Sequence, residues 1–168
     1  MSLSEILNKN VRRNNHYHDV VSLLVYGELP ESSGKKSTKI FSDIKDLIVF
    51  AALIGERYQL KEEVDTKNST GITLQTFSGA GSSKNSRVHQ HNIIFMMSLF
   101  TYEDMNMIRD ENVDKAIHLF EQYSNGGLGQ IKKWLIDSAW NPLSLLDRIV
   151  DALPESNIGK APEMVDFS

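Results

Sequence analysis

The chain has 168 residues, 40% of them hydrophobic and 24% charged, with a formal net charge of −4, so one compact globular domain with a sizeable core is the expectation. It contains no cysteine, which excludes disulfides, thiolate metal sites, cysteine nucleophiles and thiol redox switches. Its pI near 5.7 argues against sequence-independent coating of nucleic acid, a mode that depends on dense positive charge.

No export-type apolar segment opens the chain, and the longest apolar run, Leu47 to Ile54, is far short of the roughly 20 residues of a membrane span. The expectation is a soluble cytoplasmic protein with no membrane contact. His18 to Tyr26 carries Val20, Val21, Leu24 and Val25 at helical spacing and stops at Gly27, which supplies a left-handed cap. Phe41 to about Tyr58 is the clearest helix. Ser42 is placed to cap it, and Phe41, Ile44, Leu47, Ile48, Ala51, Ala52 and Ile54 form a wide apolar face whose centre belongs in a core.

Between Lys61 and Arg87 polar and turn residues dominate. Ile72 to Phe77 alternates apolar and polar like a strand. A lone strand must dock as an extended segment or pair with another chain, so Ile72, Leu74 and Phe77 are candidate partner contacts. Ser78 to Ser86 reads as a loop. Helix resumes near Val88, and the dense apolar run from Ile93 to Phe100 is expected to pack on the Phe41 to Tyr58 helix. After a short turn at Glu103 to Ile108, a helix over Asn112 to Asn125 should end at Gly126-Gly127, with a further helix restarting through Leu128, Ile131 and Leu135. Pro142 opens the last helix, with Leu143, Leu146, Ile149, Val150 and Leu153 on one side. The pattern predicts a mainly α fold: a single-domain bundle of five to six helices with one short strand-like segment. That domain is expected over residues 1–153, its core over about 18–153, with 154–168 as a C-terminal tail.

Charge divides unevenly. Residues 1–90 hold twelve Lys/Arg against ten Asp/Glu, and 91–168 hold six against twelve. The N-terminal excess makes Arg12, Arg13, Lys35, Lys36, Lys39, Lys84 and Arg87 candidate nucleic-acid contacts, set against the simpler reading of solvated faces. Two HxH pairs, His16/His18 and His89/His91, lack an accompanying carboxylate set, and on a helix residues two apart diverge by about 200°. No metal site and no cofactor is therefore expected. Ser33 to Thr38 fails as a phosphate loop, because Leu29 stands at the first glycine position and Lys36 follows Gly34-Lys35. The acidic pairs carry no restricting pattern, so no catalytic residue is assigned.

Three blocks together resemble a known family. They are Phe41-Ser-Asp-Ile-Lys-Asp-Leu-Ile-Val-Phe-Ala-Ala-Leu-Ile-Gly55, the helix with Asn92 to Leu99, and Glu121-Gln-Tyr-Ser-Asn-Gly-Gly-Leu128, with a short extended segment ending at Phe77 between the first two. Over about residues 40–135 the chain resembles the small accessory proteins encoded beside bacterial DNA phosphorothioation (Dnd) systems. The resemblance implies a role linked to modified DNA and phage defence, and it carries no catalytic residues. With no cysteine, such a protein cannot hold sulfur as a persulfide or ligate an iron–sulfur cluster through thiolates. Two readings stay open beside an enzyme with dispersed groups: an accessory protein acting through a protein partner or a homo-oligomer, and a helical protein binding DNA through its basic N-terminal surface.

Overall fold

The computed structural model describes residues 2–30, 36–79 and 89–152. Among them the elements are α1 (Leu3–Leu7), β1 (Asn10–Asn14), α2 (His18–Val21), α3 (Ile44–Arg57), β2 (Ser69–Thr73), α4 (Leu74–Phe77), α5 (His91–Tyr102), α6 (Val113–Asp137) and α7 (Ser144–Ala152). Helix dominates, as the periodicity predicts, but two strands are present rather than one strand-like segment. They pair antiparallel with Val11 opposite Ile72 and Arg13 opposite Thr70. Neither strand has the alternating apolar pattern that sequence reading relies on.

The helix predicted over His18 to Tyr26 begins as α2 and finishes as a π-helical turn over Ser22–Tyr26, closed by Gly27 at φ 72°. Helix α3 starts one residue later than a Ser42 cap would set it, with Asp43 in the N-cap position. Gly55 lies inside this helix.

The largest departure concerns Gly126-Gly127. No stop occurs there: α6 runs unbroken through both glycines as a 25-residue helix. Each glycine in a helix interior costs roughly 1 kcal/mol relative to Ala, so something must offset it. The offset is a backbone crossing. A Cβ on Gly127 would lie 2.6 Å from the carbonyl carbon of Ala51 and closer still to its oxygen, and a Cβ on Gly55 would lie 2.8 Å from the carbonyl carbon of Tyr123. Gly55 of α3 and Gly127 of α6 thus let the two helices meet backbone to backbone, the closest packing two helices allow.

Around this crossing the buried residues form a contiguous cluster that includes Leu47, Ile48, Ala51, Phe120, Tyr123, Leu128 and Ile131. Leu74 and Phe77 belong to it with no exposed surface, and Phe77 meets Phe120 edge-on. The expectation that Leu74 and Phe77 lie on a free strand is therefore corrected. The chain bends into α4 at Leu74, and β2 already has its partner in β1.

Helix α5 does not pack along α3 as expected. It packs on α6, while α3 and α5 barely meet. Helix α7 also turns differently: Leu145 is buried, whereas Leu143, Leu146 and Val150 are exposed. Leu153 and the tail 154–168 lie outside the described residues.

Candidate functional site

The densest polar network sits where β1 lies against α6. One edge of β1 is taken by β2, which leaves the backbone groups of Arg12 and Asn14 facing the helix. In α6, Glu121 and Asn125 are four residues apart and so share a helix face. Arg12 N–H donates to Glu121 Oε1 at 2.7 Å. Asn125 Nδ2 donates to the Arg12 carbonyl at 3.3 Å, and Asn14 N–H donates to Asn125 Oδ1 at 2.8 Å. The two side chains thereby stand in for a third strand and satisfy an edge that would otherwise be open.

Asn14 carries the network outward. Its Nδ2 donates to Glu62 Oε1 and to the Glu63 carbonyl, and its Oδ1 accepts from Asp65 N–H at 2.8 Å. The segment holding Glu62 is pinned along α6 by Glu62 N–H donating to the Gln122 carbonyl at 3.0 Å. Gly126 permits this approach, since a Cβ there would lie 2.6 Å from the carbonyl carbon of Leu60. Tyr17 O–H donates to Glu62 Oε2. Burial, together with that bond to a carboxylate, pushes the Tyr17 hydroxyl pKa upward, so it stays protonated.

Glu121 is almost fully buried, and desolvation raises its carboxyl pKa above the ordinary 4.5. It borders a pocket of about 270 Å³ with Lys9, Asn10, Arg12, Asp114, Ile117 and His118. Lys9 pairs with Asp114 at 2.6 Å, and His118 lies 3.6 Å from Glu63. Positive and negative groups are thus interleaved here. The chemistry available is hydrogen bonding and ion pairing that lock β1, the Glu62 segment and α6 together.

The predicted phosphate contacts separate. Arg12, Lys36 and Lys39 are exposed. Arg13 is only 7% exposed, because strand alternation turns it inward with Val11, and desolvation lowers its pKa. Arg13 is therefore corrected from surface contact to interior residue. Lys35, Lys84 and Arg87 lie outside the described residues. Of the three predicted partner contacts only Ile72 keeps partial exposure.

The histidines distribute into separate pairs. His16 meets Glu62 at 3.2 Å, His18 faces Ser22 Oγ at 3.4 Å, and His89 contacts the Ser78 carbonyl at 3.2 Å. His91 lies with its ring 5.6 Å from that of His89, and burial lowers its pKa. Among the described residues no group of three or more His, Asp or Glu is placed to hold a metal ion. No helix among them is long and apolar enough to cross a membrane.

Sequence reading missed Asn14, Tyr17, Glu62 and Asn125. The available signal was the pair Glu121 and Asn125 at helical i, i+4 spacing in one row with the apolar Ile117 and Leu128, where a polar residue needs a partner.

Residues 10–163 match the family model described as DNA sulphur modification system-associated protein 4. No curated protein and no solved structure matches the chain.

Proposed function

The chain belongs to the DNA sulphur modification system-associated protein 4 family, and from that premise we propose that it is a non-enzymatic accessory protein of such a system, working through protein contacts. One observation carries this reading. The segment Glu121 to Leu128, one of the blocks that carry the resemblance, is committed to the fold at every polar or glycine position with a described contact. Glu121 and Asn125 clamp β1, Gly126 admits Leu60, and Gly127 admits Ala51. A segment used in this way preserves a scaffold, and a scaffold acts through its surface.

The test is co-expression of the tagged chain with the other proteins of the modification locus, followed by isolation of the tagged chain and assay of phosphorothioate content in the host DNA. A stable complex with one of those proteins is the expected result. No complex, with sulfur content unchanged when the chain is deleted, would contradict the reading.

Direct DNA contact is a second reading, favoured by the exposed side chains of Arg12, Lys36 and Lys39. It predicts duplex binding that weakens with salt and with Arg12→Ala and Lys36→Ala. A flat titration at low salt, with both modified and unmodified duplex, would remove it.

A further inference from the structure

The flank of α3 that faces away from α6 is open. Between α3 and α5 lies a groove of about 300 Å³ lined by Leu53, Glu56, Ile93, Met96, Met97, Phe100 and Thr101. Leu53 is 48% exposed, Met96 52% and Phe100 72%. Single exposed apolar residues need no explanation, but a contiguous group around a concavity marks a contact surface. The sequence of α5 sharpens this. His91 to Tyr102 contains no Asp, Glu, Lys or Arg, a composition suited to a helix covered on more than one side. In the folded chain only the side with Ile94, Met97 and Ser98 is buried.

We propose that this groove is the self-contact surface of a two-fold dimer of the chain, with Phe100 of each copy seated in the groove of the other. Charge and shape both favour a second copy as the occupant. A two-fold contact sets a surface against itself, so any charge near the axis meets its own like charge. The exposed surfaces of α6 and α7 carry such charges: Asp114, Lys115 and Lys133 on α6, and Asp147, Arg148 and Asp151 on α7. The α5 face carries none, and among the described residues Glu56 is the one charged residue lining the groove. The same face offers both a projecting ring, Phe100, and a concavity to receive one. Knob and hole on one surface are what a self-complementary interface requires.

The experiment uses the full purified chain alone, so its outcome is separate from whether the protein joins the modification machinery. In sedimentation velocity over a concentration series the unaltered chain should sediment as a dimer. Phe100→Asp should sediment as a monomer with an unchanged helical circular dichroism spectrum, because Phe100 buries little within its own copy. Because the chain has no native cysteine, single introduced thiols report proximity cleanly. Met96→Cys should form a covalent dimer on mild oxidation, and Lys133→Cys, on α6, should not. A monomeric unaltered chain at every concentration, a Phe100→Asp variant that stays dimeric, or equal cross-linking at the two positions would each overturn the proposal.

Discussion

The two flanks of α3 are finished in opposite ways. Toward α6 the helix surface is cut down to glycine, and the backbones of Gly55, Ala51, Tyr123 and Gly127 touch. Toward α5 the helix keeps large side chains, Leu53 among them, and leaves them uncovered beside Met96 and Phe100. A backbone crossing has no flexible atoms that can yield, so the first flank tolerates almost no change. Exposed side chains around a groove can be altered without disturbing the protomer, so the second flank is where change should alter association. On the proposed dimer, stability and interaction fall on separate sides of one helix.

The sharpest way to break this contrast is to add a single methyl group on the closed flank. Gly127→Ala and Gly55→Ala each place a Cβ against a backbone carbonyl, and each should lower unfolding free energy by on the order of 3 kcal/mol in urea titrations. On the open flank Leu53→Ala removes more atoms yet should cost under about 1 kcal/mol, because Leu53 is half exposed.

Next in size is the β1 clamp. Asn125→Ala leaves the Asn14 N–H and the Arg12 carbonyl without their partners, and a loss of about 2 kcal/mol is expected by the same titration. Full retention of stability would show that the outer edge of β1 is satisfied by water instead.

The smallest effect comes from Glu121, and it depends on pH. Its carboxyl pKa is raised in the fold by burial, so the folded state binds this proton more tightly than the unfolded state does. The stabilising contribution is full below the ordinary 4.5 and is lost as pH rises through the raised folded value. Glu121→Gln keeps an oxygen for the Arg12 N–H and carries no charge. It should flatten the pH profile in that window and leave the protein at neutral pH within about 1 kcal/mol of the original. An unchanged profile would mean that Glu121 is better solvated than its position indicates.

The same contrast explains what the sequence could and could not disclose. Helices α3 and α5 and the Val113 to Phe120 stripe of α6 announce themselves through apolar residues at helical spacing, because burial of side chains writes a periodic pattern. The crossing writes no such pattern. Gly126-Gly127 reads locally as a helix stop, and only the approach of Ala51 and Leu60, distant in sequence, shows why a helix passes through it. Strand β1, Asn-Val-Arg-Arg-Asn, lacks an apolar alternation because the inward position after Val11 is held by Arg13 rather than by an apolar residue. That absence hid the partner of β2 and made Leu74 and Phe77 look free. In α7 periodicity locates the helix, but the packing of Leu145 decides which side is buried.

The account stands most squarely on α6 being one helix closed against α3 through its glycines. Native-state amide hydrogen exchange followed residue by residue in α6 addresses this claim. Continuous slow exchange from Phe120 through Leu135, with Gly126 and Gly127 protected as strongly as their neighbours, is the predicted result. A break with fast-exchanging amides at Gly126 to Gly129 would contradict it and restore two helices joined by a turn.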